Sequence, residues 1–387
     1  YTNKAQQVMQ DRLWSRLGDK AYELLPNILT YHKFAARVIR QDYRGTGEEP
    51  AFLDENDPEL QGDFFAYALQ IAGLSKDELS EEDAATIISY AQNGLVDEEE
   101  LRQALPQIET SHPYTAKLGR FFLAYVERLR EEQLLDYGEV LVRAVRILRS
   151  DSYAKQMWSE RFKWILCDEY QDTTPAQATL LGLIGQHAHL FVVGDPAQSI
   201  YSWQGADPDN LRRFEIDFPN TATHQLDRNY RCFPNLVRVS QRFLERCGQA
   251  HGISVTYDER RSSGERSVYY LSSEDDEEEA ASIATLAREA LALDIPGDPP
   301  RTGTVGFLVR KWWLLNALEK HLIREEIPYC YEGQTARGLS EGPEIRPIID
   351  RAVDLLDQAE AGYQMGDTPD GRAVADLRDG KLNTAVD

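Results

Sequence analysis

The sequence predicts an α/β fold built on parallel strands, and three observations carry that expectation. Two short apolar runs, WILC at 164–167 and LFVV at 190–193, each end in a polar turn, DEYQDT at 168–173 and GDPAQSIYSWQGAD at 194–207. Such runs read as buried strands, and a helical stretch between them makes a strand–helix–strand unit. The alternation resumes after residue 223, with SVYYL at 267–271, TVGFLV at 304–309 and helical spacing between and after them. Strands alternating with helices are the sign of a parallel sheet.

The elements follow in chain order. Residues 1–14 have helical character after the opening tripeptide. At 31–41, Tyr31, Phe34, Ala35 and Val38 fall on one helix face. From 44 to 128 Gly, Pro and acidic residues break the chain into short helical segments at 62–73, 82–92 and 98–105. PYTAKLGRFFLAYVERLREEQLL at 113–135 reads as one long amphipathic helix, with Leu118, Phe121, Phe122, Tyr125 and Leu129 on one side. Strands are scarce here, so this stretch reads as a helical insertion. A helix at 138–149 precedes the strand at 163–167. Thr174-Pro175, a capping hydroxyl followed by proline in the first turn, opens a helix at 176–185. Asp207-Pro208 opens another near 209–216. Beyond 223, a helix at 234–247 carries Leu236, Val239, Phe243 and Cys247 on one face. Ser273 is expected to cap an acidic helix in which Ile283, Leu286, Ala287 and Ala290 recur. A helix at 312–324, a short strand around IPYCY and a helix at 344–359 complete the pattern. The tail from 361 is Gly- and Asp-rich and linker-like.

A chain of 387 residues suffices for two or three domains. No apolar run approaches the roughly 20 residues that span a bilayer, so no membrane role is expected. Cys167, Cys232, Cys247 and Cys330 show no metal-ligand spacing and read as reduced, mostly buried thiols of a cytoplasmic protein. The net charge of −23 is unusual for a protein meeting phosphates, which need Lys and Arg. Much of the acid is clustered, as in DEEE at 97–100 and EDDEEE at 274–279, and reads as solvated surface. A local basic strip is expected on the face that carries the two turns, since net charge reports the long-range field and not the local groove.

The chemistry sits where the strands end, as it does in open α/β sheets. Asp168 and Glu169 supply adjacent carboxylates there. A nucleotide hydrolase needs one to hold Mg²⁺ and one to take a proton from the attacking water. Acidic residues after a strand also serve simply to start a helix. The second turn offers the amide of Gln198 and the rings of Tyr201 and Trp203, which suggest stacking platforms for nucleic-acid bases. A Tyr-x-Trp pair in isolation is as readily core.

The ordered combination is more specific than its parts. DEYQDT resembles motif II, GDPAQSIYSWQGAD motif III and LDRNYR at 226–231 motif IV of the superfamily 1A DNA helicases of the UvrD/PcrA/Rep group. YTNKA at 1–5, TYHKFAARVIR at 30–40 and LLDYGEVL at 134–141 are similar to motifs Ia, Ib and Ic of that family. Residues 304–333 resemble the segment between motifs IV and V, and the likeness runs to about residue 358.

The resemblance implies two RecA-like parallel-sheet units, the second incomplete, with a helical insertion in the first. It assigns 1–44 and 129–222 to subdomain 1A, 45–128 to insertion 1B, 223–358 to a partial subdomain 2A, and 359–387 to a linker or the start of 2B. It implies ATP with Mg²⁺ as cofactor, single-stranded DNA as partner, 3′→5′ movement, and work in DNA repair or related genome maintenance. Asp168, with Glu169, would hold the metal and Glu169 would be the general base. Gln198 would sense the γ-phosphate or orient the water. Arg231 would be an arginine finger, its fixed charge suited to a transferring phosphoryl group, although a surface ion pair is the alternative. Tyr230 matches the residue that stacks on adenine, with a core tyrosine as the competing reading. Tyr1, Tyr201 and Trp203 would meet bases. Asn3 and Lys4 would meet phosphates. Thr30 and His32 would meet the strand backbone or sugar, although a histidine at a helix start is often only a cap or packing residue.

Two departures stand out. Gln204 replaces the arginine that usually follows the motif III tryptophan, and a charged contact is lost. No G-x-x-x-x-G-K-[ST] loop occurs in the sequence, and motifs V and VI are absent. The sequence therefore reads as a central fragment of a helicase, with little or no ATP hydrolysis of its own. A catalytically silent module that binds single strands or a partner is the other reading.

Overall fold

The computed structural model describes residues 3–23, 27–43, 51–53, 58–202, 205–207, 209–248, 255–257, 270–292, 304–309 and 314–330. The chain divides into two compact units, 1–267 and 268–387. The helix predicted at 344–359, the linker-like tail and residues 267–269 lie outside the described residues.

Unit 1 opens with α1 (Asn3–Leu17) and α2 (Tyr31–Tyr43), then a two-residue strand β1 (Ala51–Phe52). Four helices follow: α3 (Pro58–Ala72), α4 (Glu81–Asn93), α5 (Glu98–Ser111) and α6 (Pro113–Glu131). Next come β2 (Leu134–Leu135), α7 (Tyr137–Ser150), α8 (Ser152–Ser159), β3 (Trp164–Cys167), α9 (Pro175–Ile184), β4 (His189–Val192) and α10 (Asn210–Asp217). β5 (Arg228–Asn229), α11 (Pro234–Arg246) and β6 (Thr256–Tyr257) complete the unit. Unit 2 contributes α12 (Asp276–Leu291) and α13 (Leu315–Arg324). All three strand pairs, β1–β2, β3–β4 and β5–β6, are parallel. The protein is thus a helix-rich α/β molecule with small parallel sheets.

Among the described residues two larger cores organise unit 1, and a smaller cluster of Tyr170, Leu181 and Phe214 lies against β3 and β4. In the first, Phe64, Phe65, Ala68 and Leu69 of α3 meet Phe121, Phe122, Tyr125 and Leu129 of α6, with Ala84 and Ile88 of α4. These are the α6 positions expected from the sequence, apart from Leu118, which is partly buried. In the second, Ala35, Val38 and Ile39 of α2 pack with Leu141, Ala144, Val145 and Leu148 of α7 and Leu180 of α9. The helix starts follow local chemistry. Asp97 and Asp151 accept first-turn N–H groups of α5 and α8, and Thr174 with Gln177 forms a reciprocal capping box on α9.

Several elements differ from the sequence expectation, each for a physical reason. α5 runs through Pro106 to Ser111. One hydrogen bond is lost there, but Leu101 and Leu105 pack α5 on α6 beside Gly119, and Arg102 with Glu127, Arg120 with Glu109 at 2.9 Å and Arg130 with Glu98 at 3.0 Å link the two helices at the rim. α6 stops at Glu131 because Gln133 turns left-handed at φ 56° and sends Leu134 into β2. Asp275, not Ser273, caps α12. Residues 270–271, 304–309 and 327–330 carry no paired strand, so the expected strands there are absent among the described residues. Apolar alternation alone does not supply a hydrogen-bonding neighbour.

The β3–β4 strands are not buried on both faces. Ile165, Cys167, Leu190 and Val192 face the core, whereas Trp164 is 65% exposed, Leu166 74% and Phe191 55%. Among the described residues the two-stranded ladder is covered on one side only. The thiols are also less buried than expected: Cys247 and Cys330 are exposed, and Cys167 and Cys232 half-buried. Cys247 is the C-cap of α11, a helix that buries only Val237.

Candidate functional site

β3 delivers Asp168 and Glu169 to its carboxyl end, and β4 delivers the turn beginning at Gly194 to the adjacent end. Backbone bonds register the two. Val193 N–H donates to the Cys167 carbonyl at 2.9 Å, and Tyr170 N–H to the Val193 carbonyl at 2.8 Å. Glu169 is held left-handed at φ 51° and ψ 44°. That conformation costs a non-glycine L-residue about 1–2 kcal/mol, and such outliers persist where their surroundings over-determine them. The Asp168 carboxylate accepts the Glu169 N–H at 3.0 Å, which fixes the start of the turn.

Gln171 stands between the two turns. It is only 1% exposed. Its Nε2 donates to Glu169 Oε2 at 2.8 Å and to Asp172 Oδ2 at 3.3 Å, while its Oε1 accepts the Asp195 N–H at 3.0 Å. The amide has one workable orientation, because a backbone N–H only donates and a carboxylate only accepts. Ser199 Oγ donates to the Gln171 carbonyl at 3.3 Å. Gly194 makes the approach possible: a Cβ there would lie 2.7 Å from Gln171 Oε1 and 3.1 Å from its backbone nitrogen. Sequence reasoning missed Gln171. The usable signal was an uncharged amide between a buried tyrosine and a helix cap, but its partner lies 24 residues away.

Gln198 is exposed, and its Nε2 donates to Asp195 Oδ2 at 2.7 Å, so the amide closes its own turn. Asp195 in turn caps that turn through the Ala197 N–H at 3.0 Å. Gln198 therefore reaches Glu169 through Asp195 and Gln171.

A cleft of about 550 Å³ opens beside these turns. Thr30, His32 and Tyr201 line it, together with Ser89, Gln92 and Asn93 of α4 and Asp136 and Tyr137 at the start of α7. The structure thus brings three of the expected nucleic-acid residues together. His32 stacks on Tyr137, with ring centroids 3.6 Å apart and planes 20° from parallel. Burial pushes the His32 imidazole down to about 3, so the ring is neutral at physiological pH. Thr30 is buried, and its hydroxyl accepts the Lys33 N–H at 3.2 Å, capping α2. Tyr201 is 37% exposed. The cleft floor is a buried polar knot. The Asp136 carboxylate accepts Gln92 Nε2 at 3.0 Å, the Tyr125 hydroxyl at 2.9 Å and the Glu139 N–H at 2.6 Å. Burial still pushes the Asp136 carboxyl above its usual range.

Tyr230 is 59% exposed, so it is not a core residue, and the Arg228 guanidinium lies 5.3 Å from its ring centre. Arg231 donates its backbone N–H to Asn229 Oδ1 at 2.9 Å, which shapes the Asn-Tyr-Arg turn. Tyr1 and Trp203 lie outside the described residues, as do the side chains of Asn3 and Lys4. Among the described residues no group of three or more His, Cys, Asp or Glu side chains is arranged to hold a metal. Among them, too, no helix is long and apolar enough to cross a membrane.

Fold and site define a helix-rich α/β protein whose polar site lies at the carboxyl ends of adjacent parallel strands. Residues 1–219 match the UvrD/REP helicase N-terminal domain, and the chain belongs to that family. It is 28% identical over 239 residues to the ATP-dependent DNA helicase PcrA of Leuconostoc citreum, covering 61% of this chain and 31% of that protein. It is 29% identical over 360 residues to the ATP-dependent DNA helicase UvrD1 of Mycobacterium tuberculosis, covering 90% of this chain and 45% of the relative. PcrA of Bacillus subtilis is 29% identical over 248 residues, 63% of this chain and 32% of that protein. The chain spans from 31% to 45% of the length of these relatives.

Proposed function

We propose that this chain carries the hydrolytic and strand-contacting turns of an ATP-dependent DNA helicase that moves 3′→5′ along single-stranded DNA in repair or related genome maintenance. In this reading 1–44 and 129–222 form one RecA-like unit, 45–128 its helical insertion, and 223–358 part of a second RecA-like unit. The observation that supports it most is the hydrogen-bonded run from Glu169 through Gln171 and Asp195 to Gln198, next to a cleft lined by His32, Tyr137 and Tyr201.

Asp168 and Glu169 offer the hard oxygen donors that suit Mg²⁺, which would neutralise phosphate charge when bound. Glu169, fixed by Gln171, accepts a proton from the attacking water. Gln198 sits on the same turn as Tyr201, so displacement of Tyr201 by a base is transmitted to the turn that Gln171 ties to Glu169. Arg231 supplies positive charge to the transferring phosphoryl group, and Tyr230 an exposed ring for the adenine. Stacking on Tyr201 reads no sequence, because every base offers a π-face, which suits a translocase.

The test uses the natural gene product, expressed from its own start codon to its own stop codon. ATP hydrolysis stimulated by single-stranded DNA is expected, with unwinding of duplexes carrying a 3′ tail and not a 5′ tail. Glu169→Gln is expected to abolish hydrolysis while DNA binding persists. Single-strand binding with no hydrolysis in the wild type would overturn this reading in favour of a silent binding module. The 387-residue chain alone, which has no phosphate-cradling loop, is expected to turn over little ATP.

A further inference from the structure

We infer that Gln171 is a positioning residue that ties the Glu169 carboxylate to the 195–201 turn, so that the base and the strand-contacting turn share one geometry. The inference deepens the function proposed above and rests on it for its catalytic consequence.

Three observations converge on this residue. First, Gln171 is almost fully buried, and both ends of its amide are used, Nε2 on Glu169 within its own turn and Oε1 on the Asp195 N–H of the neighbouring turn. A buried amide so satisfied is costly to disturb, because loss of either partner leaves an unpaired group. Second, the surrounding backbone is closed around it. Tyr170 N–H meets the Val193 carbonyl, Ser199 Oγ meets the Gln171 carbonyl, and Asp207 N–H meets the Thr173 carbonyl at 3.3 Å. Asn210 Nδ2 also donates to that Thr173 carbonyl. The 170–173 segment is therefore tied to Val193, Asp195, Ser199, Asp207 and Asn210. Third, Glu169 occupies a left-handed conformation that its own side chain does not favour. The Gln171 Nε2 donates to its carboxylate at 2.8 Å and so fixes where that carboxylate sits.

The consequence is mechanical. A base that must meet a water within hydrogen-bond reach loses about 10²-fold in rate when displaced by about 1 Å. Any shift of the 195–201 turn is passed through one rigid amide to the Glu169 carboxylate. Gln171 acts through Glu169, to which its Nε2 donates.

Two experiments test this. In the 387-residue chain, Gln171→Glu keeps an acceptor for the Asp195 N–H but removes the donor to Glu169. It is expected to lower Tm by about 3–6 °C. The exchanged pair, Glu169→Gln with Gln171→Glu, restores a donor facing an acceptor and is expected to recover at least half of that loss. Strict additivity of the two single changes would overturn the bridge. In the natural gene product, Gln171→Glu is expected to lower the DNA-stimulated kcat by about 10²-fold, with KM for ATP within about threefold of wild type. The stimulation factor of single-stranded DNA is expected to collapse with it. A kcat within threefold of wild type would overturn the positioning role, as would a joint loss of ATP binding and folding. A wild-type protein without DNA-stimulated hydrolysis overturns the proposed function instead, and the melting cycle then decides the bridge by itself.

Discussion

Replacing Glu139 with glutamine is expected to make the protein more stable at pH 8 and to leave its stability nearly unchanged at pH 5. Glu139 lies in the first turn of α7 beneath the cleft and is 7% exposed. Burial pushes its carboxyl from the usual 4.5 to about 7; Arg146, whose Nη1 is 3.2 Å from Oε1, pulls it down, while the neighbouring Asp136 and Glu98 push it up. Between pH 4.5 and 7 the folded protein holds a proton that the unfolded chain releases. Stability therefore falls as pH rises through that window, and the full penalty is present above pH 7. At about 1.36 kcal/mol per unit, the gap amounts to about 3 kcal/mol. Glutamine keeps the shape and an acceptor for Arg146 without the charge. A gain of up to about 3 kcal/mol corresponds to about 6–12 °C in Tm for a domain of this size. Thermal melts of wild type and variant from pH 5 to pH 8 measure it directly. Melting curves that stay parallel across that range would refute the argument, because they would mean that Glu139 is ionised in the folded state throughout.

Three further outcomes are expected. Gly194→Ala places a Cβ 2.7 Å from Gln171 Oε1, 2.9 Å from Leu211 Cδ1 and 3.1 Å from the Gln171 backbone nitrogen. Since the backbone cannot yield as a side chain does, a loss of about 1–3 kcal/mol is expected in chemical denaturation, and an unchanged midpoint would argue against the tight approach. Thr174→Ala removes the reciprocal cap of α9 and is expected to cost about 1 kcal/mol, read as a lowered Tm that Thr174→Ser restores. His32 is neutral because burial holds its imidazole near 3. His32→Gln is therefore expected to leave the salt dependence of single-strand binding unaltered at pH 6–8. A slope reduced by about one phosphate contact would show a charged ring. The same depressed value makes stability fall as pH drops from 6.5 towards 3, a loss that the variant lacks.

Much of the architecture was legible because it rests on local chemistry. The α6 stripe of Phe121, Phe122, Tyr125 and Leu129 is a 3.6-residue period, and it is the core that forms. Thr174-Pro175 opens α9 as a hydroxyl followed by proline should. The two apolar runs pair as parallel strands. Errors arose where one segment needed another. The 304–309 run has the apolar character of a strand but no ladder partner among the described residues, and α5 continues past Pro106 while Leu101 and Leu105 pack it against α6.

The site divides in the same way. Sequence by itself determined that carboxylates, an amide and aromatic rings lie at the ends of two strands, since strand-end placement follows from hydrophobic runs and turn residues. It also carried the family likeness, which depends on the order of motifs rather than on contacts. Only the tertiary structure decided which of these groups meet. It placed the Gln171 amide between Glu169 and the Asp195 N–H, turned Gln198 back onto its own turn, and gathered His32, Tyr137 and Tyr201 around one cleft. The reason is physical: a hydrogen bond between residues 24 positions apart depends on the register of β3 against β4 and on the room left by Gly194. Neither quantity is encoded in any local stretch of chain.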